Sequence, residues 1–518
     1  MNTKPILTLT GILLVHVCLT AQNIQYSPEQ QAAIDAKRAE AMAADKARLH
    51  AELKRVPAQR QEVLDNLKPY VARHGVTGDE YLLCRPNIFV PRFERNNPLR
   101  EDALQNLVAF SKQLKARGID LIVATVPTQM EVYAHRFHPE VGPEACIDPE
   151  RAKAMITLLE AGVEVIDMTS AFQQYDAKAQ KDGLPLLYHA ADHHWKSPGT
   201  MILAEAVAKR LERYPHLNER RGSFGEFTLE DREVKAPTSL YSFNGIEKAK
   251  ASNPDVLNGA NLPAKETLQQ VIYPADAQKV GGVRVQFNKE HREYGLLKKL
   301  KMDPNIMVIG DSQVFFNSGP KGGAGFPNVL SYKMQQPVMW FGRVGFNGRW
   351  GQYWAKDLAP MSVQPKVVVF NFMTSGLQDD SERTNWRPVP EFAKVGEFTR
   401  ENPKYAQIKK RPEHEVILGE LPPAPQPKSD PYKDAFFLNE VILQSRGMKG
   451  GKVAVISWAM KDRVIDPGTA NWKKGDTVKL KLTRWDEMVA KNPEWPRIQQ
   501  LDAGVDFELP LFFAEVVE

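Results

Sequence analysis

Cysteine is nearly absent: the 518-residue chain carries three, Cys18, Cys84 and Cys146. That number excludes a disulfide-built scaffold and is a poor basis for a structural zinc site. Neither sign of charge is in excess. Lys and Arg total 68 against 63 Asp and Glu, a net charge of +5, well short of a nucleic-acid-binding footprint. A mildly basic surface of this kind suits an acidic polymer instead. No internal repeat or low-complexity tract is present, since the 33 Gly and 37 Pro are dispersed. Beyond the first residues, no apolar run approaches the ~20 residues of a membrane span. What is there is ordinary globular composition, 42% apolar and 25% charged, at a length that predicts two or three domains.

The front of the chain reads as an address. Met1–Ala21 has one charge, Lys4, then the apolar Ile6–Val15 and a small residue, Ala21, at a cleavage point. This pattern predicts a secretory signal over 1–21, with an uncleaved anchor as the alternative, and places the mature protein in the periplasm or outside the cell. Cys84 and Cys146 are then the remaining cysteines, and the sequence leaves open whether they pair. Residues 22–84 follow as a helical N-terminal arm. The stretch 28–68, rich in Ala, Glu, Lys, Gln and Arg with alternating signs, reads as exposed helix serving as a packing arm or spacer.

From residue 85 the pattern alternates. Leu104, Leu107, Val108 and Leu114 trace one helical face ending at Gly118. Ile119–Val126, closed by Pro127, is a buried strand, and Val163–Met168 is a second. Asp148-Pro149 and Ser197-Pro198 each open a helix. Ile306–Ile309, Val338–Phe341 and Val367–Phe370 supply three more strands. Buried strands alternating with amphipathic helices predict a mostly parallel sheet covered on both faces, with ligand chemistry at the carboxyl ends of the strands. The expected α/β domain spans 85–415, with a less regular insertion at about 222–300. Five prolines in 420–431 read as a stiff linker, set at 416–431. Residues 432–518, with strands expected at 436–443, 453–458, 477–482 and 507–513, form a small all-β module. Its four tryptophans, Trp458, Trp472, Trp485 and Trp495, suit either sugar stacking or a core.

Two local patterns carry chemistry. In Gly310-Asp311-Ser312-Gln313 a strand runs into a tight turn, which sets a serine hydroxyl at the sheet edge near unpaired amides. Gly475-Asp476-Thr477 is nearly the same tripeptide but reads as a plain turn. The second pattern is Asp192-His193-His194-Trp195. A serine nucleophile needs a base, and the base a partner that fixes its tautomer. Asp192 and His194, two apart in an extended stretch, can share a face. A metal reading of His189, His193 and His194 lacks further ligands to complete a set.

Together these motifs resemble the SGNH-hydrolase-like domain of the alginate O-acetyltransferase AlgX/AlgJ family, over about residues 85–380. The strand ending Val126-Pro127, the strand Val165-Ile166-Asp167, and Gly345 after the fourth strand are similar too. In ordinary SGNH esterases the Asp-x-x-His element follows the serine, whereas Asp192-x-His194 here precedes it, as in the acetyltransferases. The resemblance implies a three-layer α/β/α domain with Ser312 as nucleophile, His194 as base and Asp192 as its orienting acid. Gly345 and the Ser312 amide are implied oxyanion donors, with Asn371 a further candidate at the end of the fifth strand. Trp195 is expected to pack the loop. Gln129 stands where members often carry lysine.

The expected function is an extracytoplasmic O-acetyltransferase for an exopolysaccharide, alginate-like or other. A carbohydrate acetyl esterase using the same triad and a non-catalytic polysaccharide-binding protein stand as alternatives. No metal or cofactor is called for. The implied partners are a polysaccharide acceptor and a membrane O-acyltransferase as acetyl donor, with no nucleic acid. The β-module is a candidate carbohydrate-binding unit.

Overall fold

The structure is a computed structural model. It describes residues 26–60, 99–137, 140–189, 194–235, 265–275, 305–318, 322–342, 347–360, 364–378, 386–394, 408, 412–428, 430, 433–445, 448–492, 495, 498–502, 505 and 509–517. The signal expected over 1–21 lies outside them, and among the described residues no helix is long and apolar enough to cross a membrane.

Along the chain run α1 (Pro28–Leu53), α2 (Glu101–Lys115), β1 (Asp120–Val126), α3 (Gln129–Phe137), α4 (Pro149–Glu160), β2 (Glu164–Asp167), α5 (Thr169–Asp182) and α6 (Ser197–Leu211). The strands β3 (Thr228–Lys235), β4 (Lys265–Ile272) and β5 (Ile306–Gly310) follow, then α7 (Ser312–Phe315), β6 (Gly322–Gly323), α8 (Phe326–Met334), β7 (Met339–Gly342) and β8 (Val367–Met373). All five expected strands are present and form one sheet, ordered β2-β1-β8-β5-β7, with every pairing parallel. Side chains alternate across it as a strand requires. Leu121, Val123, Val368 and Phe370 join one core with Phe110 of α2 and Met155 of α4. Ile122, Ala124, Val367 and Val369 join the opposite core with Leu203 of α6 and Leu330 of α8. This is the expected three-layer α/β/α domain, with helices on both faces of a parallel sheet.

The helix α1 is largely exposed and packs along one face, as a packing arm does. Its start is fixed by Ser27, which makes a capping box with Gln30. Its inner face then buries Ile34 and Leu49 and pairs Arg38 with Asp120 at 2.6 Å and Asp45 with Arg210 at 2.5 Å. Ser197-Pro198 opens α6 as expected, and the Ser197 hydroxyl accepts from the Gln269 amide at 2.8 Å and docks the insertion, in which β3 and β4 pair antiparallel and β4 pairs β6. One expectation changes: the β-module starts before the prolines, not after them. β9 (Glu413–Leu418) pairs with β10 (Ala435–Leu443) and with β13 (Thr477–Arg484). With β11 (Lys452–Lys461) and β15 (Leu511–Val516), these strands close a barrel, because β10 also pairs with β11, and the short β12 (Val464–Ile465) and β14 (Gln499–Asp502) pair with β11 and β10. The proline-rich stretch therefore connects two strands of one module. The turn at Gly475 is a plain turn, with φ +87° at the glycine. None of the four module tryptophans is exposed. Trp485 is buried beside Trp458 and Trp495 in one core, and Trp472 packs against the other.

Below the carboxyl ends of β1 and β2 lies a buried ionic cluster. Arg151 of α4 pairs with Glu52, with Glu131 at 2.7 Å and with Asp167 at 2.7 Å. Arg48 reaches Asp167 at 3.2 Å. Asp148 caps α4 through the Arg151 amide, as its Asp-Pro pattern predicts, and accepts from Gln378. Burial pushes Asp167 up, but Arg151 and Arg48 outweigh it and hold it below the usual range. Glu131 goes the other way: burial, opposed by Arg151, raises it from 4.5 to about 7. Its folded value exceeds its unfolded one, so the stability it contributes is full below pH ~4.5 and is lost as pH rises through ~7. Glu52 and Asp148 are raised in the same direction, chiefly by burial. Glu131→Gln should flatten the fall in unfolding free energy between pH 5 and 8 by on the order of 3 kcal/mol, read from urea titrations at several pH values. The slope with pH is the test, because the new amide would face Arg151 and lower stability at every pH. Cys146 is buried beside this cluster as a free thiol pushed up to about 12, mainly by burial. Cys84 lies outside the described residues.

Candidate active site

The site is built where β5 meets β8. Gly310, the last residue of β5, pairs with Asn371, and no side chain fits there. A Cβ would sit 1.7 Å from the Asn371 carbonyl oxygen and 2.7 Å from Val314 Cγ2. Glycine is required by that close approach. Gly310→Ala should cost about 3 kcal/mol or more through overpacking, seen as a lowered urea midpoint. The strand then breaks into α7. Asp311 caps it by accepting from the Gln313 amide at 2.9 Å, and its other oxygen accepts from the Met373 amide at 3.1 Å. One carboxylate thus fixes the turn and ties it to the end of β8. Ser312, next in line, is half-buried at the helix start, at the carboxyl edge of the sheet where the sequence placed it.

The histidine element is a short antiparallel ladder. Tyr188 bridges Trp195, the His189 amide donates to the His194 carbonyl at 3.0 Å, and the Lys196 amide donates to Leu187. Asp192, His193 and Gly345 lie outside the described residues. His194 is described and buried. Its ring stacks on that of Phe316, with centroids 3.9 Å apart and planes 3° apart. Trp195 is buried against Phe172 and Phe326 and donates its indole N–H to the Gln313 carbonyl at 3.1 Å. It packs the loop, as expected, and ties it to the serine turn. Ser312 and His194 therefore belong to elements joined by one hydrogen bond and one ring stack, although 118 residues separate Trp195 from Gln313.

Asn371 is placed differently from its expectation. β8 continues to Met373, so Asn371 lies inside the strand rather than at its end. It is fully buried and donates its side-chain amide to the Ala124 carbonyl at 2.9 Å, bracing β8 against β1. Gln129, at the start of α3, is likewise without solvent exposure. His189 pairs with Glu266 of β4. Nothing local in the sequence marked Glu266, since its partner lies 77 residues away.

With this geometry in hand, the comparisons with known proteins are direct. The family described as "SGNH hydrolase-like domain, acetyltransferase AlgX" matches residues 91–374, just over half of the chain. The chain belongs to this family. The matched span runs from before β1 to just past β8 and takes in both the histidine ladder and the serine turn. Similar solved structures include the O-acetyltransferase domain of Pseudomonas putida AlgJ, at 18% identity over 54% of this chain and 85% of that one, with a TM-score of 0.36. Pseudomonas aeruginosa AlgX is 15% identical over 75% of this chain and 86% of that one, TM-score 0.38. Bacillus cereus PatB1 is 11% identical over 57% and 93%, TM-score 0.29. No curated protein matches the chain.

Proposed function

We propose that the protein is an extracytoplasmic O-acetyltransferase that carries an acetyl group as an ester on Ser312 and passes it to hydroxyls of an exopolysaccharide. The observation that supports it most is the tie between the two motif-bearing elements: Trp195 to Gln313, and His194 to Phe316. Membership of an acetyltransferase family supports transfer to a sugar over transfer to water.

In the proposed cycle the Ser312 hydroxyl attacks the acetyl carbonyl of a donor ester while His194 takes the hydroxyl proton. The carbonyl oxygen becomes an oxyanion held by backbone amides, those of Ser312 and Gly345. The C–O bond to the donor breaks and the departing alkoxide receives the proton from His194. An acceptor sugar hydroxyl then gives its proton to His194 and attacks the seryl ester. Collapse of the second tetrahedral adduct returns the proton to Ser312 and leaves the sugar acetylated. Asp192 holds His194 in the tautomer that leaves the far ring nitrogen free to accept. Met1–Ala21 as a secretory leader puts the reaction outside the cytoplasm, which makes a membrane O-acyltransferase the donor partner.

The test supplies an activated acetyl ester with and without an oligosaccharide acceptor. The proposal expects a mass increase of one acetyl group on the Ser312 peptide, discharged to the sugar faster than to water. Acetate as the main product whatever the acceptor would make the protein an esterase. No adduct at Ser312 would remove the serine mechanism.

A further inference from the structure

Phe316, the first residue past α7, has two imidazoles around it. His194 lies flat on its face, and His189 approaches its edge with ring centroids 5.4 Å apart at 70°. His189 has no solvent exposure. Its Nδ1 is in contact with Glu266 Oε2, and its Nε2 lies 3.2 Å from Asn317 Nδ2. A carboxylate can only accept, so Nδ1 carries the proton and Nε2 accepts from the Asn317 amide. Asn317 sits in the left-handed region at φ 58°, which asparagine tolerates better than most residues with a side chain. Its carbonyl accepts from the Ala324 and Gly325 amides at 2.9 and 3.0 Å, closing the loop behind the serine turn. Glu266 is held in turn by Lys196, at 3.7 Å. A continuous line of polar contacts thus runs from the β4 hairpin to the turn that presents Phe316.

A buried carboxylate–imidazole pair is a poor device for stability, because desolvation offsets its attraction and an apolar pair of similar volume serves as well. Its directional bonds suit orientation better. We propose that Glu266 and His189 are positioning residues for His194: through Asn317 they fix the turn that carries Phe316, and the Phe316 ring sets the plane of the His194 imidazole. The inference rests on the reading of His194 as base and Ser312 as nucleophile. It also gives the insertion a role in the reaction, since Glu266 enters from its hairpin.

The experiment follows acetylation of Ser312 by a small activated acetyl ester in wild type, Glu266→Ala, Glu266→Gln and His189→Phe. The ring-proton chemical shifts of His194, assigned by their loss in His194→Ala, are read alongside. A ring stacked face to face on phenylalanine carries ring-current shifts. The expected result is a fall in kcat of about 10–100-fold in Glu266→Ala and His189→Phe, as for a displacement of about 1 Å. KM should stay within about twofold, and the His194 shifts should relax toward unstacked values. Glu266→Gln, which keeps an acceptor for Nδ1–H, should lie between these variants and wild type. Unchanged kcat in folded variants, or a fall in kcat with the His194 shifts unmoved, overturns the inference. If Glu266→Ala does not fold, Phe316→Leu carries the test: it should lose kcat alone, and wild-type kcat would overturn the proposal. Wild type that is never acetylated at Ser312 would overturn the serine mechanism itself. An acetylated wild type with unimpaired variants would overturn only this inference.

Discussion

Ser312→Ala should abolish acetyl transfer while leaving the fold in place. The turn is fixed by neighbours, not by the serine hydroxyl: Asp311 accepts from both Gln313 and Met373, Trp350 donates to the Gly310 carbonyl, and Trp195 donates to Gln313. Ser312 itself is half-buried at the sheet edge, so removing one oxygen opens little space and should change stability by no more than about 0.5 kcal/mol. The chemistry has no such tolerance. Knocking out a serine nucleophile costs on the order of 10⁶ in kcat where it has been separated from binding. The contrast with Gly310→Ala, two residues earlier, is the sharper form of the test. That change strikes the contact with Asn371 and should unfold the site. Transfer to oligosaccharide and the thermal midpoint, measured together, distinguish the two. A Ser312→Ala protein that is folded and fully active refutes the nucleophile, and one that unfolds refutes the account of what holds the turn.

The five sheet strands were legible because each is a short apolar run flanked by breakers, and burial on both faces leaves that trace in sequence. Their order was not, since β8 inserts between β1 and β5 by pairings that no local pattern encodes. The first helix was legible as a packing arm, but the surface it packs on was not. It docks largely through Arg38, Asp45, Arg48 and Glu52, and charged residues on a helix look like a solvated face until their partners are known. β9 alternates exposed and buried residues as a strand should, but the prolines after Leu418 drew the boundary past it. At the site, Gly310-Asp311-Ser312 and Asp192-His193-His194-Trp195 were readable because each is contiguous. The contacts that join them are long-range, and Phe316 and Glu266 have no local signature at all.

His194→Ala should lose about 10²–10⁴ in the rate of Ser312 acetylation, the usual value of a general base, whereas His193→Ala should stay near wild type. The ladder between residues 187–189 and 194–196 is extended chain, and His194 emerges from it with its ring stacked on Phe316, four residues past Ser312. In extended chain a residue two positions away shares a face and an adjacent one does not. Asp192 and His193 lie outside the described residues; the expectation from the spacing is that Asp192 accepts from the near nitrogen of His194 and that His193 does not. Asp192→Asn should be severe for the same reason: an amide can donate to the near nitrogen and favour the tautomer whose far nitrogen already carries a proton. Single-turnover acetylation of the three variants at fixed pH decides the assignment. An inactive His193→Ala beside an active His194→Ala would mean that the base is the wrong neighbour. If Asp192→Asn stays fast while His194→Ala is slow, the base is right but its orientation comes from elsewhere, and the Phe316 stack alone would have to supply it.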